Sequence, residues 1–206
     1  LPSDYQWYRG RVGTFGGAGR NFAVQNSAVL LSIGSRISGR LTGGMVSTFA
    51  RGAKRIIVDI DAVELAHQQV KGHLNICSDA KRFIGPLLKE LSGVQLPDIS
   101  NWRNRTLEWR NKYVACLPEY YEEKERVNPY VFIKVLSEEL REGDIIFHDC
   151  GGNTVVTCQT FDTKKGQRLI SDNGHSTMGY SFAASMGACF VPGVKRVVCI
   201  IGDGGF

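Results

Sequence analysis

The chain has 206 residues, 43% hydrophobic and 22% charged, which is ordinary for a globular protein with one large or two small domains. The net charge of +5 is mild and the basic residues are scattered, which argues against a nucleic-acid partner. No run of ~18 apolar residues exists, so no helix is expected to span a membrane.

No signal peptide is visible. The six cysteines, Cys77, Cys116, Cys150, Cys158, Cys189 and Cys199, form no C-x-x-C pair. Several lie in apolar segments, where a thiol acts as a small hydrophobe, so a reducing cytoplasm is expected rather than a disulfide framework. The 24 glycines exceed the average of ~7% and favour tight turns and close backbone–ligand contacts. The chain starts at Leu1 and stops at Phe206, directly after a ligand-type loop. A fragment is therefore expected, with sequence missing on both sides.

In chain order, residues 1–20 are rich in Gly and Arg and read as a loop. A helix over Asn21–Gln25 precedes a buried strand over Ala28–Arg36. A second strand runs Lys54–Ile60, and Asp61 caps the helix that follows. A third strand, His73–Cys77, leads to a helix capped by Asp79 with an apolar stripe of Phe83, Leu87, Leu88 and Leu91. This first domain spans 1–95. Residues 96–127 read as a linker holding one amphipathic helix with Trp102, Leu107 and Trp109.

A second domain spans 128–206. Asn128-Pro129 starts a helix striped by Tyr130, Ile133, Leu136 and Leu140. Strands follow at Asp144–His148 and Arg168–Ile170. Small residues at Ala183, Ala184, Ser185, Gly187 and Ala188 mark a helix lying close to a sheet. The last strand, Arg196–Ile201, is apolar without alternation, as in a parallel sheet covered on both faces. The alternation of strands and helices gives an α/β chain with two doubly wound, Rossmann-like parallel sheets. The second is truncated.

Ligands in such sheets sit beyond the carboxyl ends of the strands. Three polar, glycine-containing loops lie there: Gly151–Thr154, Asn173–Gly179 and Gly202–Gly205. Asp203 stands in the third. One carboxylate beside phosphate-sized room is how Mg²⁺ is held, with phosphate and water completing the shell. The bland alternative is an Asp that caps a tight turn. His148 lies inside a strand and reads as a satisfied core residue, whereas His175 lies in a ligand loop.

Gly202-Asp203-Gly204-Gly205-Phe206 resembles the opening of the thiamine diphosphate motif, which begins Gly-Asp-Gly and closes with a later Asn. Asn128-Pro129-Tyr130-Val131-Phe132 resembles the entry to the diphosphate-binding domain of acetolactate synthases. Residues 173–188 resemble that family's Gly-Gly-x-Gly-x-Met-Gly-x-x-x-Pro-Ala-Ala-x-Gly-Ala stretch. Gly34-Ser35-Arg36 with Gly39-Arg40-Leu41-Thr42-Gly43 is similar to a motif of its central domain. The resemblance covers nearly the whole chain in order.

The resemblance implies that the second domain is a thiamine diphosphate-binding fold. Asp203 would be the Mg²⁺ ligand, and the backbone of Gly202, Gly204 and Gly205 would meet the diphosphate. Gly152, Asn153 and Thr154 stand where the family has Gly-Gln-His on its other side, and the Asn-Thr pair departs from that pattern. Ser176 and Met178 match positions whose backbone meets the aminopyrimidine. Arg36 and Arg40 match two FAD contacts of the central domain, while Ser38 replaces an acidic residue. FAD binding and a purely structural domain both stay open.

The implied activity is decarboxylation of a 2-oxo acid, pyruvate, with transfer of the two-carbon unit to an acceptor. The alternatives are another carboligase or oxidase, for example one using a keto-sugar nucleotide, or a non-catalytic nucleotide-binding module. The family's catalytic Glu comes from an N-terminal domain of a neighbouring subunit. A homodimer or homotetramer is thus implied, no catalytic residue is expected in these 206 residues, and alone they are expected to be inactive.

Overall fold

The computed structural model describes residues 1–206 and divides them into two compact units. One comprises residues 12–14 and 18–112, the other residues 1–11, 15–17 and 113–206. Each holds a three-stranded parallel sheet. This division differs from the boundaries read from the sequence. Residues 96–112 join the first unit rather than forming a linker, and residues 1–11 and 113–127 join the second.

The first unit contains helix α1 (Ala18–Gln25), strand β1 (Val29–Ile33), the short helix α2 (Gly39–Thr42), strand β2 (Lys54–Asp59), helix α3 (Ala62–His67), strand β3 (Leu74–Cys77) and helices α4 (Ala80–Leu91) and α5 (Ser100–Lys112). The sheet order is β1-β2-β3, with Leu31 opposite Ile56 and Ile56 opposite Leu74. Central β2 supplies the deepest residues, Ile57 and Val58. Ile57 joins Ile37, Phe49, Ala53, Leu65 and Val70 in the core. The caps are where the residue types placed them. Asp61 Oδ1 accepts the N–H groups of Val63 (2.8 Å) and Glu64 (3.2 Å), and Asp79 Oδ1 accepts that of Arg82 (3.0 Å).

Two expectations fail here. The strand β1 is not buried on both faces, since Val29 and Leu31 are exposed. It is the edge strand, and only its other face meets the core. The apolar stripe of α4 is only partly covered: Phe83 and Leu87 are half-buried, whereas Leu88 and Leu91 are exposed. By contrast α5 docks firmly. Trp102, Thr106 and Trp109 fall at i, i+4 and i+7 on one face. Trp109 makes edge contacts with Trp102 (5.8 Å between centroids) and with Phe22 of α1 (6.0 Å). The backbones of α1 and α5 approach so closely that a Cβ on Gly19 would overlap the Trp109 carbonyl. Leu107 lies off this face and is exposed.

The second unit contains helix α6 (Pro129–Glu139), strand β4 (Ile145–His148), helix α7 (Gly152–Thr160), strand β5 (Arg168–Ile170), helix α8 (Tyr180–Ala188) and strand β6 (Val197–Ile200). The order β5-β4-β6 puts β4 in the centre of a wholly parallel sheet, with β5 and β6 added on opposite sides of it. Right-handed crossovers then place α7 and α8 on opposite faces. On the α6 and α7 face, Ile146 and Ile200 pack with Ile133, Leu140 and Phe161. Burying one such side chain contributes about 1.5–3 kcal/mol. On the other face α8 turns Ser181 and Ser185 to the sheet, and these small residues let it lie close. Asn128 Oδ1 accepts the Tyr130 N–H at 3.0 Å and starts α6.

Helix α7 begins inside the segment read as a loop. Its sequence is rich in Thr and Val, which are poor helix formers. Packing supplies what propensity lacks, since Thr154, Thr157, Cys158 and Thr160 are all buried. Its carboxyl end is closed by Arg11, whose Nη1 donates to the carbonyls of Cys158 (3.3 Å) and Phe161 (2.9 Å). A cation there complements the helix dipole.

At the amino ends of the strands, Asp144 is buried and ties β4 to β6. Arg196 donates Nε to Asp144 Oδ1 at 3.0 Å and Nη2 to Oδ2, and the Arg141 N–H donates to Oδ2 at 2.6 Å. The hydrogen bonds from Arg196 hold the Asp144 carboxyl below its ordinary 3.8. At the other end of β4, His148 is 2% exposed, a core residue as the sequence reading expects. Thr154 Oγ1 donates to the Asp149 carbonyl and lies 3.3 Å from His148 Nδ1. With the hydroxyl proton so used, Nδ1 must be the donor and Nε2 the acceptor facing Cys158 Sγ at 3.9 Å. Burial, assisted by the Arg11 charge, pushes the His148 pKa down to about 4.

Two acid transitions follow. Between pH 6.5 and about 4 the unfolded chain protonates His148 and the folded chain does not. Stability therefore falls with pH across that window, by on the order of 3 kcal/mol. Urea unfolding at a series of pH values should show this slope and its loss in His148→Leu. For Asp144 the depressed pKa gives a contribution present above 3.8 and lost as pH falls through the lower folded value. Asp144→Asn should thus be less stable than the parent at neutral pH, with the gap closing in strong acid.

Candidate functional site

The site is built at the carboxyl edge of the second sheet, where central β4 sits between β5 and β6. Three loops leave this edge. The first, after β4, is Asp149-Cys150-Gly151, and Gly151 has φ +74° as it turns into α7. The second, 171–179, follows β5. The third follows β6 and forms one tight turn over Asp203–Gly205.

The sequence places the loops at one edge, and the structure shows them in contact. The Asp149 carboxylate is the meeting point. Its Oδ2 accepts the Gly179 N–H at 2.9 Å and its Oδ1 accepts the Ser181 N–H at 3.2 Å. A Cβ on Gly205 would overlap Asp149 Oδ2, so the third loop lies directly against the same carboxylate. Around this centre, a Cβ on Gly202 would stand 3.1 Å from Asn153 Nδ2, and one on Gly204 would stand 3.5 Å from Met178 Sδ. The Phe182 and Phe206 rings close the arrangement at 5.2 Å between centroids.

Gly152, Asn153, Met178, Gly202, Gly204 and Gly205 are thus brought together. Gly151 and Gly152 face open space, and the first-turn amides of α7 have no partners within the helix. An anion is favoured at such an end. A cleft of about 500 Å³ runs beside it, lined by Phe132, Ile133, Gly152, Asn153, Cys199 and Ile201. Asp203 is exposed at the rim of the third loop. No cluster of three or more His, Cys, Asp or Glu side chains exists that would hold a metal on its own. A single hard carboxylate beside glycine amides fits Mg²⁺ held jointly with phosphate oxygens and water.

Thr154 belongs elsewhere. It is 1% exposed, and its hydroxyl points inward to the Asp149 carbonyl, so it supports the loop from behind. Ser176 adopts φ +61°, left-handed backbone at a position where the similar motif has glycine. Its N–H donates to the Asp172 carbonyl at 2.8 Å. The Asp172 side chain accepts the N–H groups of His175 (3.3 Å) and Thr177 (3.5 Å). These bonds hold its carboxyl below the usual range. His175 itself is exposed in this loop.

Arg36 and Arg40 lie in the first unit. Arg36 follows β1 and its Nε pairs with Glu64 Oε2 at 3.2 Å. Arg40 is on α2, and its carbonyl accepts the Thr14 N–H at 2.7 Å. The residue that sequence reasoning missed is Asp149. Its signal was present: an Asp at the end of a buried strand, just before a glycine pair, as Asp203 is after β6.

Comparison with known proteins agrees with this geometry. Residues 1–87 match the central domain of thiamine pyrophosphate enzymes, and residues 149–206 match their C-terminal TPP binding domain. The probable acetolactate synthase large subunit of Methanocaldococcus jannaschii is 34% identical over 212 residues, covering 100% of this chain and 35% of that protein. The acetolactate synthase large subunit of Lactococcus lactis is 32% identical over 210 residues, covering 100% of this chain and 35% of that protein. The isozyme 2 large subunit of Escherichia coli is 29% identical over 206 residues, covering 100% of this chain and 36% of that protein. The chain spans about a third of the length of the curated relatives it matches. It belongs to the thiamine pyrophosphate enzymes and carries sequence of both their central and their cofactor-binding domains.

Proposed function

We propose that the chain is the central and diphosphate-binding part of a carboligase that decarboxylates pyruvate and transfers the two-carbon unit to an acceptor carbonyl, forming acetolactate. The observation that carries this reading is the meeting of three strand-end loops on one crevice with a free helix amino end and one exposed carboxylate, Asp203. The relatives named acetolactate synthase large subunit span the whole chain and support it.

In this reading the α7 amides at Gly152 and Asn153 take one side of the diphosphate. The amides of Gly204 and Gly205 take the other. Asp203 holds Mg²⁺ against the phosphate oxygens. Met178, beside Gly204, lies where its backbone meets the aminopyrimidine. Thiamine diphosphate supplies the electron sink for the decarboxylated 2-oxo acid when bound. These residues bind and orient it, and the acid–base group comes from outside these 206 residues. The fragment alone is therefore inactive, and the working enzyme is a homodimer or homotetramer, placed in the cytoplasm.

For the first unit we infer FAD, supported by its match to the family's central domain and by Arg36 at the carboxyl end of β1. Its side chain is 75% exposed, and the Glu64 pairing must open for a phosphate to take its place.

The full-length protein should turn pyruvate, thiamine diphosphate and Mg²⁺ into CO₂ and acetolactate. Release of CO₂ without acetolactate would move the reading to another acceptor or to an oxidase. Failure to bind the cofactor would favour a non-catalytic module. In Asp203→Ala, titration calorimetry should show thiamine diphosphate affinity reduced by more than about 100-fold, since even outer-shell metal partners cost 10–100-fold. Chelation of Mg²⁺ in the parent protein should give the same loss. Arg36→Ala should lower the flavin released from the purified protein by acid, and unchanged flavin content would remove Arg36 from the site.

A further inference from the structure

Two helices begin at this crevice, α7 and α8, and both open on a glycine with no side-chain cap, Gly151 and Gly179. Their amino ends are treated differently. At the start of α7, Gly151 and Gly152 face open space. The amino end of α8 is filled by a carboxylate from another strand. Asp149, at the end of β4, takes the N–H groups of Gly179 and Ser181, the bonds that a capping side chain would take. An Asp at 3% exposure needs such partners, and the helix dipole of α8 adds to them.

We propose that Asp149 is the positioning residue of the diphosphate site: by capping α8 from β4 it seats the loop 171–179 against the Gly202–Gly205 turn and leaves α7 as the helix end open to an anion. This rests on the reading of the crevice as a diphosphate site. Three observations converge on it. The carboxylate holds the end of the second loop at Gly179 and the first turn of α8 at Ser181, by one hydrogen bond each. It touches the third loop at Gly205, where no side chain fits. Its own backbone is fixed on both sides. The Asp149 N–H donates to the Ile200 carbonyl at 2.9 Å, and the Asp149 carbonyl accepts from Thr154 Oγ1, which His148 Nδ1 orients in turn. Thr154 and His148 thus act on the site through Asp149 without touching a ligand.

The consequence is a division of labour by charge. The Asp149 negative charge sits within the crevice, neutralised by the α8 amides, so a diphosphate does not compete for that end. It is directed to α7 and to Asp203 with its metal.

The test compares Asp149→Asn, Thr154→Val and Thr154→Ser with Asp144→Asn, which loosens the opposite end of the same sheet. Two measurements are made on the full-length protein: amide hydrogen exchange without ligand, and calorimetric titration with thiamine diphosphate and Mg²⁺. In Asp149→Asn, exchange over 171–181 should rise by at least about tenfold while β4 and β6 stay protected, as expected for a lost charge-assisted hydrogen bond. Thiamine diphosphate affinity should fall by about tenfold or more. Thr154→Val should show a smaller change of the same kind, and Thr154→Ser should restore parent behaviour. Asp144→Asn should lower stability and leave affinity unchanged.

Parent-like exchange over 171–181 in Asp149→Asn would overturn the proposal. So would an affinity loss equal to that of Asp144→Asn. If the parent binds no thiamine diphosphate while Asp149→Asn still loosens 171–181, the cofactor reading fails and the positioning role stands. Should Asp149→Asn not fold, the Thr154 pair decides, because Ser keeps the hydroxyl that Val lacks.

Discussion

A carboxylate withdrawn from water must be met by donors or it is not tolerated, and for Asp149 both donors are backbone amides at the start of α8, while a second loop packs against it. Asp149 is held at the end of the central strand, so whatever it binds is registered to the sheet itself. Gly179 and Ser181 come to it from the β5 side, and Gly205 comes from the β6 side. The two loops also meet directly, Gly179 against Gly205 and the Phe182 ring against that of Phe206. The crevice is therefore less a property of any loop than of one side chain and the strand order around it.

Strand order is the second constraint. In β5-β4-β6 the parallel strands β5 and β6 are added on opposite sides of β4, a switch of strand order that leaves a gap at the carboxyl ends of β4 and β6. The amino end of α7 opens into that gap. Its carboxyl end is closed by Arg11. The opposite edge of the sheet is tied by Asp144 and Arg196. Charged groups stabilise the amino edge and helix ends, and the carboxyl edge is left for glycine amides and a single exposed acid.

The first unit follows the same logic with a different outcome. Its strand-end acids, Asp61 and Asp79, are used as helix caps, so they are occupied by the protein's own amides. The basic residue at its strand ends, Arg36, is the group left facing solvent, although paired with Glu64.

Much of this was legible in the residues alone. Asp61, Asp79 and Asn128-Pro129 announced helix starts because capping is a local interaction between a side chain and amides two or three residues on. The strands read at Lys54–Ile60 and Arg168–Ile170 are marked by their apolar composition, and Gly202–Gly205 by glycines that only a close backbone contact requires. What stayed hidden depended on partners far away in sequence. The start of α7 reads as the loop Gly151–Thr154, and the Thr and Val residues that follow give no helix signal; burial against α6 and β4 overrides their preference. The α4 stripe and the outer face of β1 looked like core because periodicity records which face is apolar, not whether anything covers it. Asp149 and Asp203 share the same local pattern, an acid at a strand end beside glycines. Tertiary structure alone separates them: β4 is central, so its acid is enclosed by two neighbouring loops and becomes structural, whereas the acid after β6 stays exposed at the rim.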